Sequence, residues 1–418
     1  MNAIKTTCCV VGGGPAGMVL GLLLARAGVD VTVLEKHADF LRDFRGDTIH
    51  PSSLEVLHEL GLLTEFLELP HQKAYRINGR VAGRDMVVGD FSHLPVTAPY
   101  IAFIPQWDFL EFLSRKAAEY PAFHLLRRTE ATDLITGADA VTAGGTGDGT
   151  VTGVRAAGPD GPVEIHADLV VAADGRTSVL RERAALPLKE YGAPIDVLWF
   201  RVSREPGDPE NPGGAFDRGR IMVMINRSTS WQCAWVIPKG SFDQVKQRGL
   251  AEFQEAVAGL GPFLADRVKE ISDWDQVKLL TVRVDRLDRW YRPGLLCIGD
   301  AAHAMSPVGG IGINLAIQDA VAAANLLAAP LRQGQVSADD LRAVQRRREL
   351  PTRLTQRLQV FIQDRVLNRI LAGRVATGRV PLPVRLLARF PMMRRIPARV
   401  VGMGFRPEHV HAPAVDSA

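Results

Sequence analysis

Cys8-Cys9-Val10-Val11-Gly12-Gly13-Gly14-Pro15-Ala16-Gly17 sets a short apolar run directly against a glycine turn. Glycines fall at 12, 14 and 17, the G-x-G-x-x-G spacing that follows a buried strand where a dinucleotide is held. The surroundings agree with that reading. Met18 to Ala27 is an Ala/Leu-rich helix, Gly28 stands where a helix C-cap belongs, and Val31-Thr32-Val33-Leu34 is a second strand ending on Glu35. Gly12 permits the tight turn, Gly14 lets the backbone approach a pyrophosphate, and Gly17 lets helix and strand pack closely. The helix that starts at Pro15 adds free N–H groups from Ala16 onward and the positive end of a dipole. Glu35 follows about 20 residues on, where an acid holds the ribose hydroxyls of an adenosine.

The wider composition belongs to an ordinary globular chain. With 418 residues, 46% apolar and 23% charged, it has room for two domains or one large domain with insertions. A net charge of +4 is small at this length and points away from nucleic acid. The first strand begins within about seven residues, without the charged and apolar regions of a secretory signal, and no apolar run is expected to reach the roughly 18 residues of a membrane span. A cytoplasmic location is the expectation. Cys8, Cys9, Cys233 and Cys297 lie in or beside apolar, strand-like runs without C-x-x-C or Cys/His metal spacing, so they read as buried thiols and no metal is expected.

Along the chain, Lys36 to His50 reads as a polar loop carrying Arg42 and Arg45, and Pro51-Ser52-Ser53 opens a helix over Leu54 to Leu60. Tyr75 to Phe91 suggests a hairpin, Ile101 to Gln106 an extended piece, and Trp107 to Glu119 an amphipathic helix. Short runs at Phe123 to Ile135, Ala140 to Ala143, Thr150 to Ala156 and Val163 to Leu169 form a meander that closes on Leu169 to Gly175. Tyr191 to Leu280 differs in texture: aromatic strands, then a helical stretch from Phe242 to Val268, which together read as a sheet with a covering helix. Leu295 to Asp300 returns to a buried strand, Gly312 to Leu327 is an apolar helix, and the remainder is helical, Arg-rich and broken by prolines. The tail after Pro407 is expected to be weakly ordered.

Two later stretches each put an aspartate at the end of an apolar strand: Asp174-Gly175, with Ser178 and Arg181 after it, and Gly299-Asp300-Ala301-Ala302-His303, followed by Pro307 and Gly309 to Asn314. Such aspartates accept hydrogen bonds from sugar hydroxyls where a ligand crosses strand ends. With three motifs in this order, the chain resembles the single-component FAD-dependent aromatic hydroxylases, the 4-hydroxybenzoate 3-hydroxylase-like flavoprotein monooxygenases, over nearly its whole length to about residue 345. The resemblance implies an α/β fold, α+β overall, with a Rossmann-like FAD-binding domain, an inserted β-sheet substrate domain and C-terminal helices. The corresponding boundaries are 1–74, 98–182 and 282–345 for the FAD-binding domain, 75–97 and 183–281 for the substrate sheet, and 346–418 for the helical segment.

The resemblance also assigns roles. Gly12, Gly14, Pro15, Ala16 and Gly17 would hold the FAD pyrophosphate, Glu35 the adenosine ribose with Lys36 beside it, and Arg45 the phosphates. Gln106 would lie along the ribityl chain, Asp174 would serve FAD and the pyridine nucleotide, and Asp300 would bind a ribityl hydroxyl. Gly312, Ile313 and Asn314 would meet the pyrimidine edge through their backbone, and the Pro307 carbonyl would face the flavin ring. The implied chemistry is reduction of FAD by a transient NAD(P)H, then transfer of one oxygen of O2, through a flavin C4a-hydroperoxide, to an aromatic substrate, phenolic and polycyclic or heteroaromatic. Met222, Met224 and Trp235 are candidates for the substrate wall, each equally readable as sheet core. His50 is the candidate proton relay, with His303 and His37 as lesser ones. A halogenase, a reductase or dehydrogenase on the same fold, and a non-catalytic flavin-fold binding protein are the competing readings; Cys233 occupies the position where a halogenase W-x-W-x-I-P stretch needs its first tryptophan. The expected assembly is a monomer or homodimer.

Overall fold

The computed structural model describes residues 2–41, 48–81, 84–137, 149–210, 213–217, 219–373 and 389–415. The Asn2–Val11 strand lies inside a parallel sheet, with Val31–Glu35 and then Phe123–Arg127 on one side and Gly161–Ala172 and then Leu295–Cys297 on the other. Register fixes what this sheet can do. Val11 is level with both Leu34 and Ala172, and Ala172 is level with Cys297, so four strands end on one line. Because the chain leaves the first strand in opposite directions for its two neighbours, a crevice opens at that line.

Alternation along the first strand serves two cores. Val10 points into a cluster with Leu22, Val33, Phe112, Val171 and Ile317, supplied by the Pro15–Arg26, Gln106–Ala117 and Ile311–Arg332 helices. Cys9 and Val11 point into another with Val154, Ile165 and Trp290, closed by the antiparallel strands Glu130–Thr136 and Val151–Gly158. All four cysteines are buried free thiols. The helix over Val308–Arg332 is long and apolar enough to cross a membrane, contrary to the reading of the sequence; 72% of its apolar window is buried inside the fold, where it packs on the Pro15–Arg26 helix.

A second sheet runs Lys278–Leu280, Ile195–Ser203, Ser230–Pro238, Arg220–Asn226, Gly213–Asp217, Arg76–Val81 and Arg84–Asp90, and its only parallel neighbours among the described residues are Gly213–Asp217 and Arg76–Val81. The expected hairpin near residue 80 is therefore part of this sheet. Its covering helix is broken: Phe242–Gln247 and Leu250–Leu260 are separated at Gly249, whose φ of 93° no helix continues through, and Pro262 starts a short turn instead of a further helical turn. The expected run Ala140 to Ala143 and residues 374–388 of the expected helical remainder lie outside the described residues.

Past the apolar helix, Ala338–Ile362 forms a long helix that continues through a π-helical turn, Gln363–Leu367, into Asn368–Leu371. The tail after Pro407 is anchored, against expectation. Glu408 is 2% exposed and accepts from the guanidinium groups of Arg347 and Arg348, so the tail supplies a buried counter-charge.

Candidate cofactor and active site

The glycine turn is built by exclusion. A Cβ on Gly12 would stand 2.3 Å from the Ala173 carbonyl oxygen, and one on Gly17 would stand 1.9 Å from the Gly12 carbonyl oxygen. Gly12 has a φ of 110°, and its N–H donates to the Leu34 carbonyl (2.8 Å), which joins the turn to the second strand's end. Gly14 is different: a Cβ there would meet nothing within 4 Å. It stands at the start of a helix that no side chain caps, so open space lies over unclaimed positive dipole, the setting a phosphate fits.

Glu35 ends the neighbouring strand, buried, and is oriented by two backbone donors: Gly13 N–H to Oε2 (3.2 Å) and His37 N–H to Oε1 (2.9 Å). Lys36 points elsewhere; its Nζ is 3.9 Å from Glu130 on the surface, both side chains more than half exposed. Arg45 lies outside the described residues. Gln106 is the first residue of its helix, three positions after a strand, Ile101–Phe103, that pairs with Thr48–Ile49.

The Asp174 and Asp300 motifs are brought together by an arginine. Ser178 Oγ accepts from the Arg181 N–H (3.0 Å), and the Arg181 guanidinium donates to the carbonyls of Ala301 (3.0 Å) and Arg176 (2.8 Å), tying one turn to the other. Arg176 Nη2 in turn reaches to 3.5 Å from Asp300 Oδ2. Asp174 Oδ2 accepts from the Leu180 N–H (3.3 Å), while its Oδ1 is buried with no partner. Burial pushes the Asp174 carboxyl above its ordinary value, against the pull of Ser178 and nearby backbone donors. A buried carboxylate oxygen left open at a strand end is what a ligand hydroxyl would satisfy. Gly299 stands where a Cβ would come within 3.2 Å of Ala316 Cβ and 3.3 Å of Ala16 Cβ, so the Asp300 turn, the glycine-turn helix and the apolar helix meet at one point.

Beyond His303 the chain turns through Gly309 and Gly310, both left-handed, with the Gly310 N–H donating to the Pro307 carbonyl (3.0 Å). Gly312 and Ile313 then open the Ile311–Arg332 helix, whose start no side chain caps. The Asn314 side chain is fully used: Oδ1 accepts from the His50 N–H and Ser53 hydroxyl (both 2.8 Å), and Nδ2 donates to the carbonyls of Thr48 (3.1 Å) and Gly310 (3.2 Å).

Neither His50 nor His303 is built to relay protons. His50 Nδ1 donates to the Val401 carbonyl (2.8 Å), which leaves Nε2 bare, buried and without a partner; burial pulls the ring's pKa down to about 4, the carbonyl only partly opposing. It is a neutral ring wedged beside Gly310, and the expectation of a proton relay at His50 is corrected on that ground. His303 Nε2 lies 2.6 Å from Asp319 Oδ2, which also accepts from the Gly299 N–H (3.1 Å); Asp319 Oδ1 is 2.9 Å from Arg348 Nε, and Arg348 reaches Glu408 (3.2 Å). Burial alone would raise the Asp319 carboxyl, but His303 and Arg348 reverse that and hold it below the usual carboxylate range. This chain supports the Asp300 turn from beneath. Sequence reading missed it because Asp319, Arg348 and Glu408 carry no local motif.

The expected substrate wall is on the other side of the second sheet. Met222, Met224 and Trp235 share a buried cluster with Phe253 and Val257 of the covering helix, Trp235 and Phe253 meeting edge to face at 5.6 Å. They are core, a correction that follows from alternation: residues one step along each strand face the opposite way. There Val197, Ile221, Ala234 and Val236 gather with half-buried Trp199 and Phe216, and Val308, next to Pro307, packs against them together with Ile362, Leu367, Ile370 and Leu371 of the C-terminal helical run. Trp199 is level with Ala234, and its Nε1 is enclosed without an acceptor.

Comparison with known proteins gives this geometry a family. A family model described as "FAD binding domain" matches residues 5–358. The 6-methylpretetramide 4-monooxygenase of Streptomyces rimosus is 34% identical over 413 residues, 96% of this chain and 93% of that protein. Two solved structures share the fold. OxyS anhydrotetracycline hydroxylase of Streptomyces rimosus is 22% identical with a TM-score of 0.73, over 97% of this chain and 77% of that one. PqsL, a probable FAD-dependent monooxygenase of Pseudomonas aeruginosa, is 20% identical with a TM-score of 0.72, over 88% and 98%. With a glycine turn, an oriented Glu35 and an open Asp174 oxygen along one line of strand ends, the chain belongs to the FAD binding domain family, as a flavoprotein of the aromatic monooxygenase kind with FAD as its cofactor.

Proposed function

We propose that this protein hydroxylates an electron-rich ring of a polycyclic aromatic substrate, using NAD(P)H and O2. The observation that carries the reading is the apolar sheet face of Trp199, Ala234, Val236, Ile221 and Phe216, packed toward Val308 in the turn that follows Pro307. A flat ring system suits such a face. The near full-length similarity to 6-methylpretetramide 4-monooxygenase supports the polycyclic class.

In this reading Gly12, Gly14, Pro15, Ala16 and Gly17 hold the pyrophosphate of FAD, Glu35 the adenosine ribose, Gln106, Asp174 and Asp300 the ribityl side, and the backbone of Gly312, Ile313 and Asn314 the pyrimidine edge. When bound, FAD supplies hydride acceptance and oxygen activation. The protein's share is to orient and to exclude water. The sheet face keeps solvent from the reacting ring, Trp199 Nε1 donates a hydrogen bond to a substrate oxygen, and neutral His50 holds the Gly310 turn without exchanging protons. The segments 1–74, 98–182 and 282–345 act as the cofactor unit, 75–97 and 183–281 as the substrate unit, and 346–418 as a helical brace.

The test is NADPH- and NADH-driven oxygen uptake with a panel of polycyclic phenols, product mass being followed for a gain of one oxygen. Trp199→Phe is expected to raise KM for the accepted substrate about tenfold, the size of one lost hydrogen bond, while Met222→Leu leaves it within about twofold. Equal effects of the two substitutions would refute the choice of sheet face, and absence of any oxygen-containing product would refute the activity.

A further inference from the structure

Away from the strand ends, a cleft of about 480 Å³ opens between the long C-terminal helix and the strand pair Leu188–Glu190 and Asp285–Leu287. Its charge is one-sided. Lys189, Arg286, Arg353, Arg357 and Arg365 line it against a single acid, Asp364. Arg353 is shared with Glu349 at 3.5 Å, but among the described residues Lys189, Arg286, Arg357 and Arg365 form no ion pair. Four unshared cations against one carboxylate leave the cleft strongly positive.

Arg286 makes the case more than charge counting does. Arg286 is only 9% exposed, yet its guanidinium has neutral partners only: Gln356 Oε1 (2.7 Å) and the Tyr191 hydroxyl. A buried cation without a counter-ion is costly, and such a group at the edge of a cavity is balanced when an anion enters. Arginine's planar fork suits phosphate oxygens in particular. Two aromatic rings complete the lining: Tyr191, with the Arg286 guanidinium 5.0 Å from its centroid, and Phe361, 58% exposed on the helix wall. A ligand with phosphate and a flat base fits that combination, and the volume lies in the range of small-molecule sites.

The cleft is wired to the segment around Pro307. Gln356 Nε2 donates to the carbonyls of Asp285 (2.7 Å) and Ala304 (3.1 Å), Gln359 Nε2 to those of Ser306 and Val308 (both 3.0 Å), and Gln363 reaches the Ser306 hydroxyl. The helix that forms one wall therefore carries the segment containing Pro307. Asp364 and Arg365 sit in its π-helical turn, a local form that recurs at functional sites. The chain has no second G-x-G-x-x-G turn after a strand for another dinucleotide.

We propose that this cleft binds the phosphate-bearing adenosine end of the nicotinamide dinucleotide; the assignment rests on the NAD(P)H-driven reading above. The phosphates meet Arg286, Arg357 and Arg365, and the base lies against Phe361 or Tyr191. The experiment is calorimetry on the flavin-loaded protein with 5′-ADP, 2′,5′-ADP and inorganic pyrophosphate, repeated on R357Q/R365Q, whose side chains are exposed and outside the folded core. Binding of an adenosine phosphate, weakened tenfold or more in the double variant together with a similar rise in KM for NAD(P)H at unchanged kcat, is the expected result. Absence of binding to the wild type, or equal affinity in the variant, overturns the site. Binding that depends on the cleft while KM stays fixed overturns the reductant and makes the ligand a free nucleotide. Pyrophosphate binding as tightly as 5′-ADP overturns the recognition of a base. Calorimetry needs no turnover, so a protein that neither coenzyme reduces would refute the monooxygenase reading while leaving the cleft's result readable.

Discussion

Replacing His50 by asparagine isolates what a buried neutral imidazole does to stability. Asparagine Nδ2 takes the place of the ring's Nδ1 donor to Val401 and cannot titrate. In the wild type the ring's pKa falls from 6.5 in the unfolded chain to about 4 in the fold, so the unfolded state binds the proton first. The sign follows: stability is fully present above pH 6.5 and is lost as pH falls toward 4. Between about pH 7.5 and pH 5, linkage with those two values removes about 2 kcal/mol. For a chain of 418 residues that is about 2 °C of melting temperature. Thermal unfolding of flavin-saturated protein at the two pH values, wild type against H50N, reads the difference of slopes and is insensitive to any constant change the new side chain brings. The wild type is expected to lose about 2 °C more than the variant. Equal losses would refute a neutral, proton-free His50.

Other parts of the site have similarly direct tests. G14A is expected to fold with unchanged circular dichroism yet lose flavin on dialysis, since a Cβ there meets open space in the protein, whereas G17A, 1.9 Å from the Gly12 carbonyl oxygen, is expected to fail at folding itself; retained flavin in G14A would show that nothing lies over that glycine. E408Q removes the buried counter-charge of Arg348 and half-exposed Arg347 and should cost about 3–5 kcal/mol in denaturant unfolding. A loss below about 1 kcal/mol would mean the arginines find other partners.

The sequence makes the cofactor crevice legible because its information is local. Gly12, Gly14 and Gly17 are within six positions, Glu35 ends the next strand, and Asp174 and Asp300 each follow an apolar run that can only be buried. The substrate face was not legible in the same way. Met222 and Val223 are neighbours on one strand and look to opposite sides; only the position of Leu250–Leu260 decides that the methionine is core. Gln356, Gln359 and Gln363 recur at helical spacing, but a polar stripe on a long Arg-rich helix reads as solvated until the carbonyls of Ala304, Ser306 and Val308 are seen beneath it. Tail order rests on pairings between distant residues, Arg348 with Glu408 sixty apart and Val410 with Glu59 among them, which no window of sequence contains.

The pairing of Arg348 with Glu408 has a consequence for biosynthesis. Arg348 leaves the ribosome sixty residues ahead of the carboxylate that completes its neutralisation, with only Asp319, made 29 residues earlier, available to it meanwhile. A nascent chain halted before residue 408 thus has reason to keep that helix hydrated and undocked, and the last step of closure waits on the acid that arrives late. Released chains truncated just before and just after residue 408 should accordingly differ sharply in their resistance to a protease, and equal resistance would show that docking does not need the acid.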